Sequence, residues 1–207
     1  MELLLIRHAL PERREVDDGA ADPELSDVGH VQADHLARYL VDEHLDAIYS
    51  SPLRRALQTA EPIARDRGLE VVVDDDVAEF DRDSSTYVPV EELRAADDPR
   101  WKQMLAGDWD DVEDRDRFDA RVVEALERIV GENRGRRVAV ACHGGVINTY
   151  LSHVLGLDGE RRFFFYPNYT SIHRVAASSD GACSLITLNE TGHLRGTGLP
   201  MGMFQQG

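Results

Sequence analysis

Lysine is almost absent from this chain: of its 23 basic residues, all except Lys102 are arginine. Acidic residues number 39, so the formal net charge is −16 at pH 7. A chain of this charge without a basic run lacks the surface that nucleic acid requires, and an anionic membrane would repel it. We therefore expect neither nucleic acid nor a membrane as a partner.

Cysteine is also scarce, and long apolar runs are missing. We expect Cys142 and Cys183, the only two cysteines, to be free thiols in a reducing compartment. No apolar run approaches the length of a membrane span, and the first residues lack the basic start of a signal peptide. These absences indicate a cytoplasmic protein, and 207 residues suit one sizeable domain rather than two.

The most informative feature is an apolar run that stops on an arginine and a histidine. Residues 3–6 are typical of a strand that is buried on both faces, and Arg7 and His8 follow directly. In open α/β sheets ligands bind beyond the carboxyl ends of the strands, so both side chains would face the ligand crevice. A guanidinium matches phosphate oxygens and a neutral imidazole is a nucleophile. The pair therefore indicates phosphoryl transfer.

Two further strand ends repeat this pattern. A second apolar strand ends at His143, and Gly144 and Gly145 follow it at the start of a predicted helix. Two glycines let the backbone approach a ligand closely at a helix N-terminus, which favours anions. A third strand precedes a helix that begins with Arg54 and Arg55. Each of these junctions offers a cation or an imidazole.

Strands and helices alternate along the chain, which predicts a mostly parallel sheet with helices on both faces. The predicted strands cover residues 2–7, 46–50, 70–73, 136–141, 171–177 and 184–189, the last two as a hairpin at one edge of the sheet. The predicted helices cover residues 26–42, 54–66, 117–133 and 146–155. Pro62 predicts a kink or a break in the second helix.

Two segments have less definite patterns. Residues 75–117 show no clean periodicity, and we interpret them as a partly helical insertion that covers the mouth of the ligand crevice. The aromatic run 163–166 is more typical of core, although it leaves a homodimer interface open. A homodimer therefore stays among the expected partners.

These motifs, taken together, resemble the histidine phosphatase superfamily, also called phosphoglycerate mutase-like. The resemblance rests on Arg7-His8-Ala9, on the stretch 25–33, on Ser51 to Ala56 with Thr59-Ala60-Glu61, and on His143 to Ile147, which occur in the family's order. It covers nearly the whole chain. It implies a three-layer α/β/α sandwich and a single domain over residues 1–207.

The resemblance also implies roles for individual residues. His8 would attack phosphorus and form a phosphohistidine, while Arg7, Arg55 and His143 would hold the phosphate oxygens. Arg55 is chosen over Arg54 because it directly precedes the alanine of the family's motif. No metal ion and no cofactor are needed for this chemistry.

The proton donor and the outer substrate contacts are less closely determined. The family carries a glutamate shortly after the third strand, and Glu79 fits that position, with Asp81 as the alternative general acid and base. Arg13 and Arg14 follow His8 closely enough to reach substrate, or they are surface charges. Arg14 stands where many members of the family have an asparagine that contacts phosphate.

The sequence favours a metal-independent phosphatase acting on a small phosphomonoester, but other functions remain open. A metal hydrolase is disfavoured, because no two histidines lie three or four residues apart and no cysteine cluster exists. A mutase would use the same residues as a phosphatase. A non-catalytic module that binds a phosphorylated ligand would need neither His8 nor Glu79.

Overall fold

The computed structural model describes residues 1–106, 113–157, 164–204 and 207. Its strands are β1 (Glu2–Arg7), β2 (Arg14–Glu15), β3 (Ala47–Ser50), β4 (Val71–Val73), β5 (Thr86–Tyr87), β6 (Arg137–Cys142), β7 (Ile172–Ala177) and β8 (Cys183–Glu190). Its α-helices are α1 (Asp27–Tyr39), α2 (Arg54–Arg65), α3 (Val90–Ala95), α4 (Pro99–Ala106), α5 (Arg115–Glu132) and α6 (Gly144–Leu155).

Six strands form one mixed sheet in the order β4-β3-β6-β1-β7-β8. The pairs β3–β4, β3–β6 and β1–β6 are parallel, whereas β7 runs antiparallel to both β1 and β8. The predicted mostly parallel sheet with an edge hairpin is therefore confirmed. Both faces of β1 are covered by helices, which explains why its residues are apolar without alternation.

Helices cover both faces of this sheet, and successive residues of β1 alternate between them. Leu3 and Leu5 belong to a core cluster shared with α5 and α6. Leu4 and Ile6 belong to a second cluster shared with α1 and α2. The three-layer α/β/α arrangement follows from this alternation, and it places the carboxyl end of β1 in the interior of the protein.

Several boundaries differ from the prediction. The second helix is not broken at Pro62, because the buried face formed by Ala60, Ile63 and Ala64 holds it against the sheet. The sequence predicts that the aromatic run belongs to the core, but Phe164 is 57% exposed, so this prediction is wrong for Phe164. Phe163 lies outside the described residues. Helix α1 starts as predicted after Ser26, whose hydroxyl accepts from the backbone N–H of Gly29, but it ends at Tyr39 rather than at residue 42.

The described parts of the segment 75–117, which are residues 75–106 and 113–117, contain several short elements, and the others lie outside the described residues. A 3-10 helix (Asp75–Val77) and strand β5 come first, followed by α3, α4 and the first residues of α5. β5 pairs with β2, the strand shortly after His8, through Arg14 opposite Tyr87. Within the ranges that the structure describes, no helix is both long and apolar enough to cross a membrane.

Candidate active site

The carboxyl ends of β1, β3 and β6 lie side by side at one edge of the sheet. Arg7 at the end of β1 is opposite Cys142 at the end of β6, and β3 pairs with β6 one residue earlier. The residues that follow these strands, His8, Ser51 and His143, therefore emerge together. The ring centroids of His8 and His143 are 5.2 Å apart, and both side chains are buried.

His8 is held as a neutral imidazole by a hydrogen bond from Nδ1. Its Nδ1–H donates to the carbonyl of Ala9 at 2.7 Å, and its backbone N–H donates to the carbonyl of Cys142 at 2.9 Å. Burial lowers the pKa of the ring well below its ordinary value, and the charges of Arg55 and Arg7 lower it further. A fixed tautomer with an unprotonated Nε2 is the state that a histidine nucleophile requires.

Three buried nitrogen atoms beside His8 have no hydrogen-bond partner within the described part of the chain. They are Nε of Arg7, Nε of Arg55 and Nδ1 of His143. The same side chains are anchored elsewhere: Nη1 of Arg7 donates to Pro167 O at 2.7 Å, and Nε2 of His143 lies 2.7 Å from the Ser51 hydroxyl. Buried polar atoms are normally paired, so three unpaired ones in one place indicate a site for an oxygen-rich anion.

Glu79 lies against the first turn of α6, directly after His143. Its Oε2 accepts from the backbone N–H of Gly145 at 2.8 Å, and its Oε1 accepts from Phe80 N–H at 3.2 Å. Burial, reinforced by the nearby carboxyl of Asp81, raises the pKa of Glu79 to about 7. Gly145 is required here, since a Cβ on it would lie only 2.2 Å from Glu79 Oε1.

The two carboxyls that the sequence left as alternatives lie in different surroundings. Asp81 accepts from Arg55 Nη2 at 2.8 Å, and the guanidinium of Arg55 packs over the ring of Tyr87 at 4.6 Å. Asp81 is thus the ion-pair partner of Arg55, whereas Glu79 has a raised pKa, which is the property that a proton donor near neutral pH requires.

The other residues named from the sequence lie at different distances from this cluster. Gly144 begins α6, and a Cβ there would be 4.0 Å from Arg7 Nε, so its backbone adjoins the unpaired nitrogen. Arg54 is turned outward and pairs with Glu24. Arg14 is exposed on β2. Its role as a substrate ligand stays a prediction.

Two residues that no sequence motif indicated, Tyr169 and Thr170, pack against Arg7 and His8. Arg7 packs its guanidinium over the ring of Tyr169 at 4.2 Å, and the centroid of that ring is 5.9 Å from that of His8. Thr170 has a φ of 54°, an outlier for a β-branched residue. Its backbone N–H donates to the carbonyl of Arg7 at 3.1 Å. Strain of this kind is characteristic of functional sites.

Arg121 of α5 holds the segment that carries Glu79 in place through hydrogen bonds. Its Nη1 donates to the carbonyl of Asp76 at 2.7 Å and to that of Ala78 at 3.1 Å. Its Nε donates to Glu113 Oε1 at 3.1 Å. The carboxyl of Glu79 is therefore positioned by a guanidinium that does not touch it.

Replacing Arg121 with methionine is expected to lower kcat about tenfold for alkyl phosphates, and to destabilise the fold by about 1–3 kcal/mol, because two carbonyls lose their donor. Steady-state kinetics from pH 5 to 9 and thermal unfolding test this. The apparent pKa assigned to Glu79 should shift, which a purely structural loss would not cause. Arg117→Met, on the same helix with a side chain 82% exposed, is the control and should leave both measurements unchanged.

A mostly parallel sheet whose strand ends carry two imidazoles, two guanidiniums and a carboxyl defines a phosphoryl-transfer enzyme. The model of the histidine phosphatase superfamily, branch 1, matches residues 3–191, and the chain belongs to this family. Its fold and its relatives identify it as a phosphatase.

One relative is phosphoserine phosphatase 1 of Hydrogenobacter thermophilus. It is 32% identical to this chain over 203 residues, and the alignment covers 94% of each of the two chains. Among solved structures, a phosphoserine phosphatase variant of Entamoeba histolytica in complex with phosphoserine aligns with a TM-score of 0.70 at 27% identity, over 93% of this chain and 98% of that one. The complex of that phosphatase with 3-phosphoglyceric acid aligns with a TM-score of 0.71 at 27% identity, with the same coverage.

Proposed function

We propose that the protein hydrolyses a small phosphomonoester without a metal ion, through a phosphohistidine on His8. In the first step, Nε2 of His8 forms a bond to phosphorus while the bond from phosphorus to the leaving oxygen breaks. In the second step, water attacks the phosphohistidine and frees the ring and inorganic phosphate. The single observation that carries this proposal is the buried, neutral His8 ring whose Nδ1–H is bound to Ala9, which leaves Nε2 unprotonated.

The three unpaired nitrogens would hold the oxygens of the transferring group. Arg7 Nε, Arg55 Nε and His143 Nδ1 are fixed by other contacts, so they need little rearrangement when charge develops on those oxygens. With the Ser51 hydroxyl donating to Nε2, His143 carries its proton on Nδ1 and can donate it. Backbone N–H groups at the start of α6, at Gly144, add the favourable end of a helix dipole.

Glu79 would serve both steps as the general acid and base. Protonated, it donates to the leaving-group oxygen; as the resulting carboxylate, it removes a proton from the attacking water. A pKa of about 7 allows both forms near neutral pH. Asp81, engaged with Arg55, is assigned to holding that arginine in place.

The substrate is inferred to be a small phosphorylated metabolite in the cytoplasm. The names of the relatives support this class, since they refer to phosphoserine and 3-phosphoglycerate. We infer that residues 1–207 act as one domain, in which residues 75–117 lie over the site, and that Arg14 at its rim contacts the leaving group. The net charge of −16 argues against nucleic acid as a partner.

Hydrolysis of p-nitrophenyl phosphate in excess chelator tests the proposed function. We expect steady turnover at a rate that the chelator does not lower. Loss of activity with chelator and its return with a divalent cation would instead support a metal hydrolase. If the protein hydrolyses neither this ester nor phosphoserine, the result would support a binding module.

A second arm of the experiment separates a phosphatase from a mutase, because both would use His8. The protein is incubated with 3-phosphoglycerate, and inorganic phosphate and 2-phosphoglycerate are measured together. We expect release of phosphate without isomerisation. Isomerisation in excess over phosphate release would identify a phosphotransferase.

A further inference from the structure

The segment 167–171, which leads into β7, holds the end of β1 in place. The backbone N–H of Arg7 donates to the carbonyl of Ser171 at 3.1 Å, and the backbone N–H of Thr170 donates to the carbonyl of Arg7 at 3.1 Å. The side chain of Arg7 is bound to the same segment, since its Nη1 donates to Pro167 O at 2.7 Å. The positions of Arg7 and of the histidine next to it therefore depend on the conformation of this segment.

The segment departs from the regular antiparallel ladder at Thr170. If the register of β1 with β7 continued, Arg7 and Ser171 would be the next pair and would exchange two hydrogen bonds. Instead, the N–H of Ser171 donates to Asn168 O at 3.1 Å, and the N–H of Thr170 takes its place on the carbonyl of Arg7. Thr170 achieves this in the left-handed conformation, with a φ of 54°, which persists only where the surroundings enforce it.

His193 contacts the hydroxyl of this strained residue. The Thr170 hydroxyl donates to Tyr169 O at 2.7 Å, so its oxygen is left to accept from Nε2–H of His193, 2.8 Å away. Burial, with a smaller contribution from His35, lowers the pKa of His193 to about 4. The ring is therefore neutral near neutral pH, with its proton on Nε2 and a lone pair on Nδ1.

The other nitrogen of His193 makes this residue a costly choice for a buried position. The Nδ1 atom is buried and has no hydrogen-bond partner among the residues that the structure describes, and such an atom is destabilising. The ring also packs against that of Tyr39 on α1, with centroids 5.5 Å apart, but a phenylalanine could make that contact without the unpaired nitrogen. What a histidine adds is the N–H that is directed at Thr170.

We propose that His193 is a positioning residue of the phosphatase: its Nε2–H holds the hydroxyl of Thr170, and Thr170 in turn fixes the backbone of Arg7 and His8 for attack on phosphorus. The N–H of Thr170 lies 3.5 Å from the carbonyl of His8 as well as 3.1 Å from that of Arg7. Displacement of a reacting group by about 1 Å can cost about 10²-fold in rate. This inference rests on the proposed function and adds to it a residue that acts through another.

The segment has further anchors, so it should not unfold when His193 is replaced. The backbone N–H of Tyr169 donates to Met201 O at 2.9 Å. The backbone N–H of Asn168 donates to Oδ1 of Asn189 at 2.8 Å. Loss of the contact with His193 should therefore loosen Thr170 within a folded protein, which allows kinetics to be measured.

The test compares His193→Phe, which keeps an aromatic ring and removes the donor, with His193→Gln, whose amide N–H can still reach the hydroxyl. For p-nitrophenyl phosphate we expect kcat of His193→Phe to fall about 10–100-fold, with KM changed less than about threefold. The rate at which His8 is phosphorylated after rapid mixing should fall with kcat. His193→Gln should recover most of the loss.

The partner and a control are tested in the same way. Thr170→Val, which keeps the shape and removes the hydroxyl, should reproduce the fall in kcat, and Thr170→Ser should recover most of it. Asn133→Leu removes a buried amide that donates to the Tyr49 hydroxyl at 3.1 Å, ahead of the amino end of β6. This control should lower the Tm and leave kcat unchanged.

Two results would overturn the proposal. Unchanged kcat in His193→Phe with a lower Tm would show that the residue only stabilises the fold, and an equal fall of kcat in Asn133→Leu would show that lost stability suffices. If His193→Phe does not fold, the comparison of Thr170→Val with Thr170→Ser decides, and equal kcat values would count against the proposal.

The parent protein and His8→Ala separate this inference from the proposed function. If the parent hydrolyses p-nitrophenyl phosphate and His8→Ala does not, unchanged kcat in His193→Phe overturns the inference alone. If the parent hydrolyses neither this ester nor phosphoserine, the proposed function fails and the inference fails with it.

Discussion

Replacing His8 with alanine is expected to reduce phosphatase activity by about 10⁴-fold or more, as loss of a nucleophile does in other enzymes that form covalent intermediates. The ring is buried, and its hydrogen bond through Nδ1 to Ala9 leaves Nε2 unprotonated and able to attack. Without it, water would have to attack the bound ester directly. Activity on p-nitrophenyl phosphate and on phosphoserine should be lost together.

Trapping of the intermediate makes this expectation specific. Acid-labile, base-stable phosphate should be attached to the parent protein after rapid quenching, and it should be absent from His8→Ala. His30→Ala, an exposed histidine on α1, is the matched control and should retain both activity and phosphorylation. Turnover that survives in His8→Ala would show that the nucleophile has been assigned incorrectly.

Replacing Glu79 with glutamine should lower kcat/KM for phosphoserine by about 10²–10³-fold, since general acid catalysis contributes that much when the leaving group is an alkoxide. The loss should be much smaller for p-nitrophenyl phosphate, whose leaving group departs without a proton. The unequal loss distinguishes an acid from a group that only shapes the pocket.

The dependence on pH follows from the same residue. Because the pKa of Glu79 is raised to about 7, the carboxyl is largely protonated at pH 6 and largely ionised at pH 8. The phosphorylation step needs the protonated form, so kcat/KM for phosphoserine should fall as the pH rises through 7. His8 contributes no opposing limb near neutrality, since its pKa is lowered.

Two variants decide between the carboxyls. The alkaline limb should disappear in Glu79→Gln and persist in Asp81→Asn, whose main defect would be weaker phosphate binding through Arg55. An acidic limb near pH 6, from protonation of the substrate phosphate, should be common to all variants. Loss of the alkaline limb in Asp81→Asn alone would reverse the assignment.

The residues that meet at this site could be predicted because strand ends converge. His8 and His143 each follow an apolar run, and parallel strands in one sheet present their carboxyl ends at the same edge. Neither the pairing of β1 with β6 nor the side-chain contacts were needed for that step. Glu79, by contrast, depended on resemblance, since nothing in its local sequence marks a buried carboxyl.

Tyr169 and Thr170 could not be predicted by the same reasoning. Both precede β7, which returns antiparallel beside β1, and single-sequence periodicity does not indicate which strand becomes a neighbour. A break at Pro62 was wrong for a related reason, because the local propensity of proline is outweighed by the packing of α2.

The ion pair between Arg55 and Asp81 has a consequence for turnover. Asp81 belongs to the same chain as Arg55, so the fold fixes its effective concentration at Arg55. This concentration does not change with the phosphate or salt content of the solution. The Asp81 carboxylate offsets part of the positive charge of Arg55. This weakens the binding of the phosphate ester and of inorganic phosphate alike. Product inhibition should therefore be mild, and the affinity that separates substrate from product has to come from the part of the ester that leaves.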